Sequence, residues 1–575
     1  MKRKNSLLII LTVLVATLFA TGCGPVDAPD FGESITESNK DEILNELEIS
    51  FEEVEPVEGE IPDNLVNEVN QGNDNDNDAE VPVYEMPDIT AYDFDVTGTG
   101  DVNAEIFLPV DDNSGIREVV NYAANRFNER KEKNSNGETI SVSIRCLESS
   151  LAEDFIRTKT YEPDGYIADN ELLGYYMEAN GINLDKVASK TVGNVIGIAI
   201  KNEAYESLKS KNDSIDVTTI VQANIDGDLS IGYTNPLTSP IGLNFVVSML
   251  ATFDASNPNS MEASTDFSEF QNSVNSVSYS TNQMIKAVNS GMVNSFVIDY
   301  QSFLTNEELK NSFVFIPFGV RHDYPLYRMA TTDKSEVLEA FADSCYSEEV
   351  QNYAKRCNFF GYEEYVSNVD PSRYPAGTLN EILNFWKENK AGQKRITCVF
   401  VADFSGSMSG DKIESLKDSM RNAAQYINND SYIGVIGYDH IVYEFCPIGQ
   451  FDNQQMKYYF GAIESFDEYG GGGTATNDAL IAAIRKIRYE ELHCTDSIKP
   501  IIILLSDGKT ESGYTLRSLE NVIHAFPYPI YTIGYGGNAD KDELRRIAGI
   551  NGGIFIDSSE DDISYILKNI FNAEM

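Results

Sequence analysis

The 575-residue sequence predicts an α/β protein, with two consecutive strand–helix regions behind an acidic N-terminal extension. Three observations predict it. Short apolar runs alternate with amphipathic helical stretches from about residue 104 to the C-terminus, a pattern that builds mostly parallel sheets covered on both faces. Hydrophobic residues make up 42% of the chain, enough for substantial cores, so wholesale disorder is excluded. The net charge of −48 is unevenly placed. Residues 1–23 carry +3, 24–100 carry −22 with Lys40 as their single base, 101–392 carry −19 and 393–575 carry −10. So acidic a chain excludes nucleic acid and an anionic membrane surface as general partners. The four His (His322, His440, His493, His524) are dispersed and no HExxH pair occurs, which argues against a His-based metalloenzyme.

The N-terminus has a basic start (Lys2, Arg3, Lys4), an apolar run over 7–19 and the small-residue stretch Ala20-Thr21-Gly22-Cys23. These are the parts of a secretory signal, and the run is shorter than the roughly 20 residues of a spanning helix. Ending on Gly-Cys, it resembles a bacterial lipoprotein signal (1–22), which implies lipidation of Cys23; Ala20 departs from the Leu usual at that position. Ordinary cleavage beside an incidental Cys is the alternative. No second spanning segment follows, so the mature protein is expected at the cell membrane, held by a lipid anchor and facing the extracellular or periplasmic side. Residues 23–100 read as a disordered acidic tether, with a flexible-coil span of about 50 Å. Within it, 43–47 has the spacing of a short helical turn. Asp74, Asp76, Asp78 and Glu85 fit calcium-loop spacing, but Ala79 replaces the required Gly.

Residues 101–392 read as strand 104–109, helix 115–128, strand 140–145, strands ending near 169 and 200, and an apolar helix over 243–253. A helix at 284–289, strands at 295–298 and 313–316, and helices at 335–345 and 348–357 follow. Residues 393–575 begin with strand 396–401 and helix 412–427. Strands 432–438 and 441–445, helix 477–491, strand 500–505 and helix 516–526 come next. Strand 530–535, helix 541–548, strand 553–556 and helix 562–571 complete the region.

Three unusual stretches fall at strand ends of the last region, where sites in such sheets lie. They are Asp403-Phe404-Ser405-Gly406-Ser407, the run Gly470 to Gly473 leading to Thr474, and Ser506-Asp507-Gly508. Short hydroxyls and carboxylates on tight loops are hard oxygen ligands, suited to Mg²⁺. In this order they resemble the metal-ion-dependent adhesion site of von Willebrand factor type A (VWA) domains. The resemblance implies a doubly wound, Rossmann-like sheet and a metal site of Asp403, Ser405, Ser407, Thr474 and Asp507. It further implies Mg²⁺ (or Mn²⁺) as cofactor and a protein partner that presents an acidic residue to the cation. Simple helix capping by Asp403 and Ser405 accounts for neither Thr474 nor Asp507. Ser405 lacks a Gly-x-Ser-x-Gly elbow, and Ser409-Gly410-Asp411-Lys412 fits Ser-x-x-Lys without companion motifs, so no enzymatic activity is expected.

In the middle region, Asn235-Pro236-x-Thr238-Ser239-x-x-Gly242 at a helix start, Gly291-Met292-Val293 leading to Asp299-Tyr300, and Ala340-Phe341-Ala342 through Phe359-Phe360-Gly361 resemble type II extracellular solute-binding proteins. That implies a two-lobed periplasmic-binding-protein-like fold. Asn170, Thr238, Ser239 and Tyr300 are then candidates for lining a ligand cleft, against the alternative of capping or packing. Six Cys follow Cys23, of which Cys345 and Cys357 are the one sequence-local pair for a disulfide. Two functions follow as expectations. In the first, a lipid-anchored surface protein binds or adheres to a protein through its metal site, with an accessory solute-binding-like domain. In the second, the middle domain captures a small molecule for transport or sensing.

Overall fold

Among the described residues, three β-sheets organise the chain, two of five strands and one of seven. The computed structural model describes residues 54–61, 86–110, 115–274, 276–278, 280–289, 293–367, 369–374, 377–390, 394–424, 427–469, 471–508, 510–526, 528–537, 539–551, 553–558 and 567. The signal sequence with Cys23, the turn at 43–47, the calcium-like spacing at 74–85, Gly291, Met292, Gly470 and most of the helix expected over 562–571 lie outside them.

The middle region has two lobes. The first sheet contains β2 (Val102–Pro109), β3 (Ile140–Leu147), β4 (Gly165–Ile167), β5 (Leu184–Ala188) and β11 (Leu326–Met329), in the order β3-β2-β4-β11-β5. The second contains β6 (Ile196–Lys201), β7 (Ile231–Thr234), β8 (Ser276–Ser278), β9 (Ser295–Asp299) and β10 (Phe313–Pro317), in the order β10-β6-β9-β7-β8. β2 shows why an unbroken apolar run is needed. Ile106 and Leu108 face a core shared with Val119, Ala123 and Phe127 of helix Gly115–Arg130, while Phe107 faces the opposite core with Phe155. Alternate side chains point to opposite faces of a sheet, and here both faces are covered.

The chain crosses between the lobes after β5 and again after β10. The two crossings run side by side. Asn194 N–H donates to His322 O (2.9 Å) and His322 N–H to Asn194 O (3.1 Å). The Asn170 amide reaches Nε2 of His322 (3.0 Å), an arrangement that needs a neutral ring. Burial pushes the His322 pKa down to about 3.

The C-terminal sheet contains β12 (Arg395–Asp403), β13 (Tyr432–Tyr438), β14 (Val442–Gln450), β15 (Ile498–Ser506), β16 (Ile530–Gly534) and β17 (Phe555–Asp557). A further strand, β1 (Val57–Glu58), lies at its edge, giving the order β1-β14-β13-β12-β15-β16-β17. All pairings are parallel except β13 with β14. Cys398, Phe400 and Ala402 of β12 enter one core, with Leu416 and Met420 of helix Asp411–Ala423 and Tyr459 and Ile463 of helix Asn453–Ser465. Val399 and Val401 enter the other, with Leu480, Ile484, Leu519 and Leu544. The sheet is thus wound on both faces.

Three differences from the sequence reading stand out. Helix Asn453–Ser465, started by the Asp452 carboxylate accepting from the N–H groups of Gln454 and Gln455, has a polar first turn and a central Gly461 that hide its apolar stripe. The Cys residues from Cys146 onward are all free thiols, including Cys345 and Cys357. Finally, two described pieces of the acidic extension are docked. Asp95 pairs with Arg117 (2.6 Å) and Val96 bridges to Ile144, so the first lobe begins upstream of residue 101. Residues 54–61 join the C-terminal sheet. Among the described residues no helix is long and apolar enough to cross a membrane.

His322 supplies a test of the lobe crossing. Its pKa is depressed in the fold, so between pH 6.5 and about 3 the unfolded chain binds the extra proton and stability falls with falling pH. The slope from this one group is at most about 1.4 kcal/mol per pH unit. Urea unfolding followed by Trp386, the single Trp and fully buried in the middle region, reads it. His322→Gln is expected to flatten the wild-type decline over that window; an unchanged slope contradicts the assignment.

Candidate metal centre and interlobe cleft

The central strand β12 ends at Asp403, which is fully buried. Both carboxylate oxygens are used. Ser405 N–H donates to Oδ1 (2.9 Å) and Ser506 Oγ, at the end of the adjacent parallel strand β15, donates to Oδ2 (2.6 Å). Gly508 N–H in turn donates to Ser506 Oγ (2.8 Å). After Asp403 the chain makes a single 3₁₀ turn, Gly406–Met408, pinned by the buried Met408. That turn brings the Ser405 and Ser407 hydroxyls to 3.1 Å of each other.

Thr474 arrives from the other side of the site. Gly471 takes a positive φ of 109°, and a side chain at Gly472 would have to displace the His440 ring, whose Nδ1 lies 2.0 Å from where a Cβ would sit. The glycines let this loop approach Gly406, whose hypothetical Cβ lies 3.8 Å from Gly472 O. The Thr474 carbonyl accepts from the N–H groups of Glu511 (2.8 Å) and Ser512 (3.1 Å), which ties the loop to the one after β15. Asp507 completes the set. Its Oδ2 accepts from Lys412 Nζ (3.0 Å), while its Oδ1 is buried with no hydrogen-bond partner.

These residues fit a divalent cation. Burial pushes the Asp403 pKa up to about 6, against the hydrogen bonds from Ser506 and Ser405, and the nearby Asp507 carboxylate raises it further. A buried carboxylate short of positive charge and an unpartnered Asp507 Oδ1 are features that a bound cation would satisfy. The hydroxyls of Ser405, Ser407 and Thr474 supply the neutral, hard oxygens that Mg²⁺ takes. No group of three or more His, Cys, Asp and Glu suited to a metal occurs among the described residues. The structure thus sets Asp403, Ser405, Ser407 and Asp507 at the ends of the adjacent strands β12 and β15, and places Thr474 in the loop before helix Thr476–His493 rather than at a strand end. Lys412, in the first turn of helix Asp411–Ala423, joins them through Asp507, whereas the sequence marked it only as part of a Ser-x-x-Lys match.

The middle region has a cleft of about 280 Å³, lined from the first lobe by Val110, Ser149 and Asp169 and from the second by Ser239, Thr281, Asp299 and Gln301. Ser239 is the one of the four sequence candidates among its lining residues. Its Oγ accepts from Thr234 Oγ1 (2.9 Å) at the start of helix Pro240–Phe253. Thr238 turns instead toward a small hollow shared with Ser150, Glu153 and Tyr176. Asn170 caps helix Glu171–Ala179, accepting from Leu172 N–H (3.0 Å), and spends its amide on His322. Tyr300 packs on Phe315 (4.9 Å) and Tyr362 (4.7 Å), against Gly361, where any side chain would clash with its ring. Two of the lining residues missed from sequence, Asp169 and Asp299, precede Asn170 and Tyr300 by one position. The strand-end loops were identifiable, whereas the direction of each side chain was not.

Comparison with known proteins agrees with this division. Residues 398–572 match the von Willebrand factor type A domain, and residues 108–357 match the bacterial extracellular solute-binding protein family. Over 166 residues the chain is 30% identical to inter-alpha-trypsin inhibitor heavy chain H3 of Bos taurus, covering 27% of this chain and 18% of that one. It is 28% identical over 172 residues to an uncharacterized protein of Synechocystis sp., covering 29% and 36%. The chain therefore spans well under half the length of these relatives. Among solved structures, a von Willebrand factor type A protein from Catenulispora acidiphila aligns at TM-score 0.28 and 22% identity, over 32% of this chain and 43% of that one. A putative extracellular solute-binding protein from Bordetella parapertussis aligns at 0.38 and 11%, over 51% and 99%. The chain thus carries a bacterial extracellular solute-binding-protein-like domain followed by a C-terminal von Willebrand factor type A domain.

Proposed function

We propose that this chain is a non-enzymatic binding protein of the bacterial cell surface whose VWA domain engages a protein partner through a divalent cation, Mg²⁺ or Mn²⁺. The carrying observation is that buried Asp403, the paired hydroxyls of Ser405 and Ser407 and the unpartnered Asp507 Oδ1 lie at the ends of two adjacent strands, with the Thr474 loop tied to the loop after β15. A cation held largely by neutral hydroxyls keeps most of its charge for an incoming acidic side chain. The chain's own residues do the positioning. Ser506 and Ser405 orient Asp403, the glycine run admits Thr474, and Lys412 balances Asp507. This is metal-dependent adhesion or protein binding, with the solute-binding-like domain as an accessory.

A second reading, capture of a small ligand for transport or sensing, is favoured by the polar cleft between the lobes. The extracellular solute-binding family supports a location outside the cytoplasm. The Gly22-Cys23 ending of the signal supports lipid attachment at Cys23.

Two measurements test the proposal. Titration of the full chain with Mg²⁺ by calorimetry and thermal unfolding is expected to give binding heat and an EDTA-reversible rise in VWA-domain stability. At a hundredfold excess over Kd, the stabilisation is about 2.7 kcal/mol. Asp403→Ala is expected to show neither, and equal stabilisation of both proteins contradicts the site. In cells of the source bacterium, Cys23→Ala is expected to abolish incorporation of labelled fatty acid and release the protein from the membrane fraction. Persistent labelling argues against Cys23 as the anchor.

A further inference from the structure

Residues 54–61 precede the VWA domain by more than 300 residues in the chain, yet they complete its sheet. Val57 and Glu58 pair in parallel with Tyr443 and Glu444, and Gly59 N–H donates to Glu444 O (2.8 Å). The segment folds over the sheet edge with an apolar residue on each side. Val54, 7% exposed, enters the core of helix Thr476–His493, and Ile61 packs against the opposite core. Its acidic character is matched locally. Glu55 faces Arg485 (3.4 Å) and Lys486 (3.8 Å), and Arg485 Nη1 donates to Val54 O (3.1 Å). Gly59 is required by contact, since a Cβ there would lie 2.6 Å from the Phe445 ring.

The last contact of the segment leads to the metal centre. Glu60 N–H donates to the Tyr469 hydroxyl (2.8 Å). The Tyr469 ring lies 4.9 Å from those of Tyr443 and Phe445 and 5.9 Å from Phe404. Phe404 sits between Asp403 and Ser405, and Tyr469 opens the glycine loop that ends at Thr474. One aromatic cluster therefore joins two of the three metal-site loops, those of Phe404 and Tyr469, to the docked strand. A two-residue ladder is too short to persist by itself, so the docking rests on side-chain contacts, of which the Glu60–Tyr469 hydrogen bond is the one that reaches that cluster.

We propose that residues 54–61 are a detachable part of the VWA domain and that their docking is energetically coupled to cation binding at Asp403, Ser405, Ser407, Thr474 and Asp507. This rests on the metal-site reading above. A cation shared by the two loops restrains Phe404 and Tyr469 and so favours the docked strand. By linkage, the docked strand raises cation affinity by the same factor. The N-terminal extension is then a cis-acting ligand of the sheet edge, and whatever displaces it weakens the metal site.

Hydrogen exchange by mass spectrometry on the full chain, combined with Mg²⁺ calorimetry, tests the coupling. In the wild type, the amides of 54–61 are expected to exchange about fivefold more slowly, or better, in Mg²⁺ than in EDTA. Gly59→Val is expected to lose that protection and weaken Mg²⁺ binding by a similar factor, while β12 stays protected. Tyr469→Phe, which removes one hydrogen-bonding hydroxyl, is expected to move both readouts less and in the same direction. Should Gly59→Val leave β12 unprotected, Tyr469→Phe decides alone. Mg²⁺ binding by the wild type with no change in exchange at 54–61 overturns the coupling. So does an undocked variant with unchanged affinity. A wild type that binds no Mg²⁺ removes the metal reading itself and the coupling with it.

Discussion

Asp403 is the residue around which the C-terminal domain is arranged. Its carboxylate ends the central strand of a sheet covered on both faces, where water does not reach it. A charge in that position must be compensated or lost to protonation. The adjacent parallel strand supplies Ser506, the following turn supplies the Ser405 N–H, and neither brings a positive charge. The same parallel register places Asp507 one residue beyond Ser506. That second carboxylate deepens the deficit, and Lys412 meets only one of its oxygens. The arrangement is costly as a static structure and sensible as a cation cradle.

The surrounding scaffold holds this arrangement by strand ladders on two sides and by loop contacts on a third. β13 and β15 hold β12 through long parallel ladders. The third side is the glycine loop before Thr474, which rests on the aromatic cluster of Phe404, Tyr443, Phe445 and Tyr469 rather than on a ladder. Because β1 belongs to this sheet and precedes β2 in the chain, the solute-binding-like domain is an insertion between the edge strand and the central strand of the VWA sheet. The two domains are therefore joined by two chain passages, which gives events in one a covalent route to the other.

What was legible in the sequence follows from physical distinctiveness. β12 was legible because a run such as Cys398 to Val401 has no role except burial on both faces, and the site because five hard-oxygen residues fell after such runs in a recognisable order. The direction of side chains at the cleft was not legible. Asn170 and Asp169 are neighbours, and which one turns inward depends on His322, a residue about 150 positions away. β1 was the hardest. Val54, Val57 and Ile61 are sparse apolar residues in a strongly acidic stretch, and composition averages them away. Their docking depends on Arg485, Lys486 and an exposed sheet edge that only the folded domain provides.

The central claim is that the five residues form one cation site. Anomalous diffraction from crystals of the full chain grown with Mn²⁺ tests it most directly. The account predicts a single strong peak in the VWA domain, bounded by the Ser405 and Ser407 hydroxyls, with Asp507 Oδ1 turned toward it. A peak elsewhere in the domain, or none while Asp507 remains paired to Lys412 alone, would contradict it.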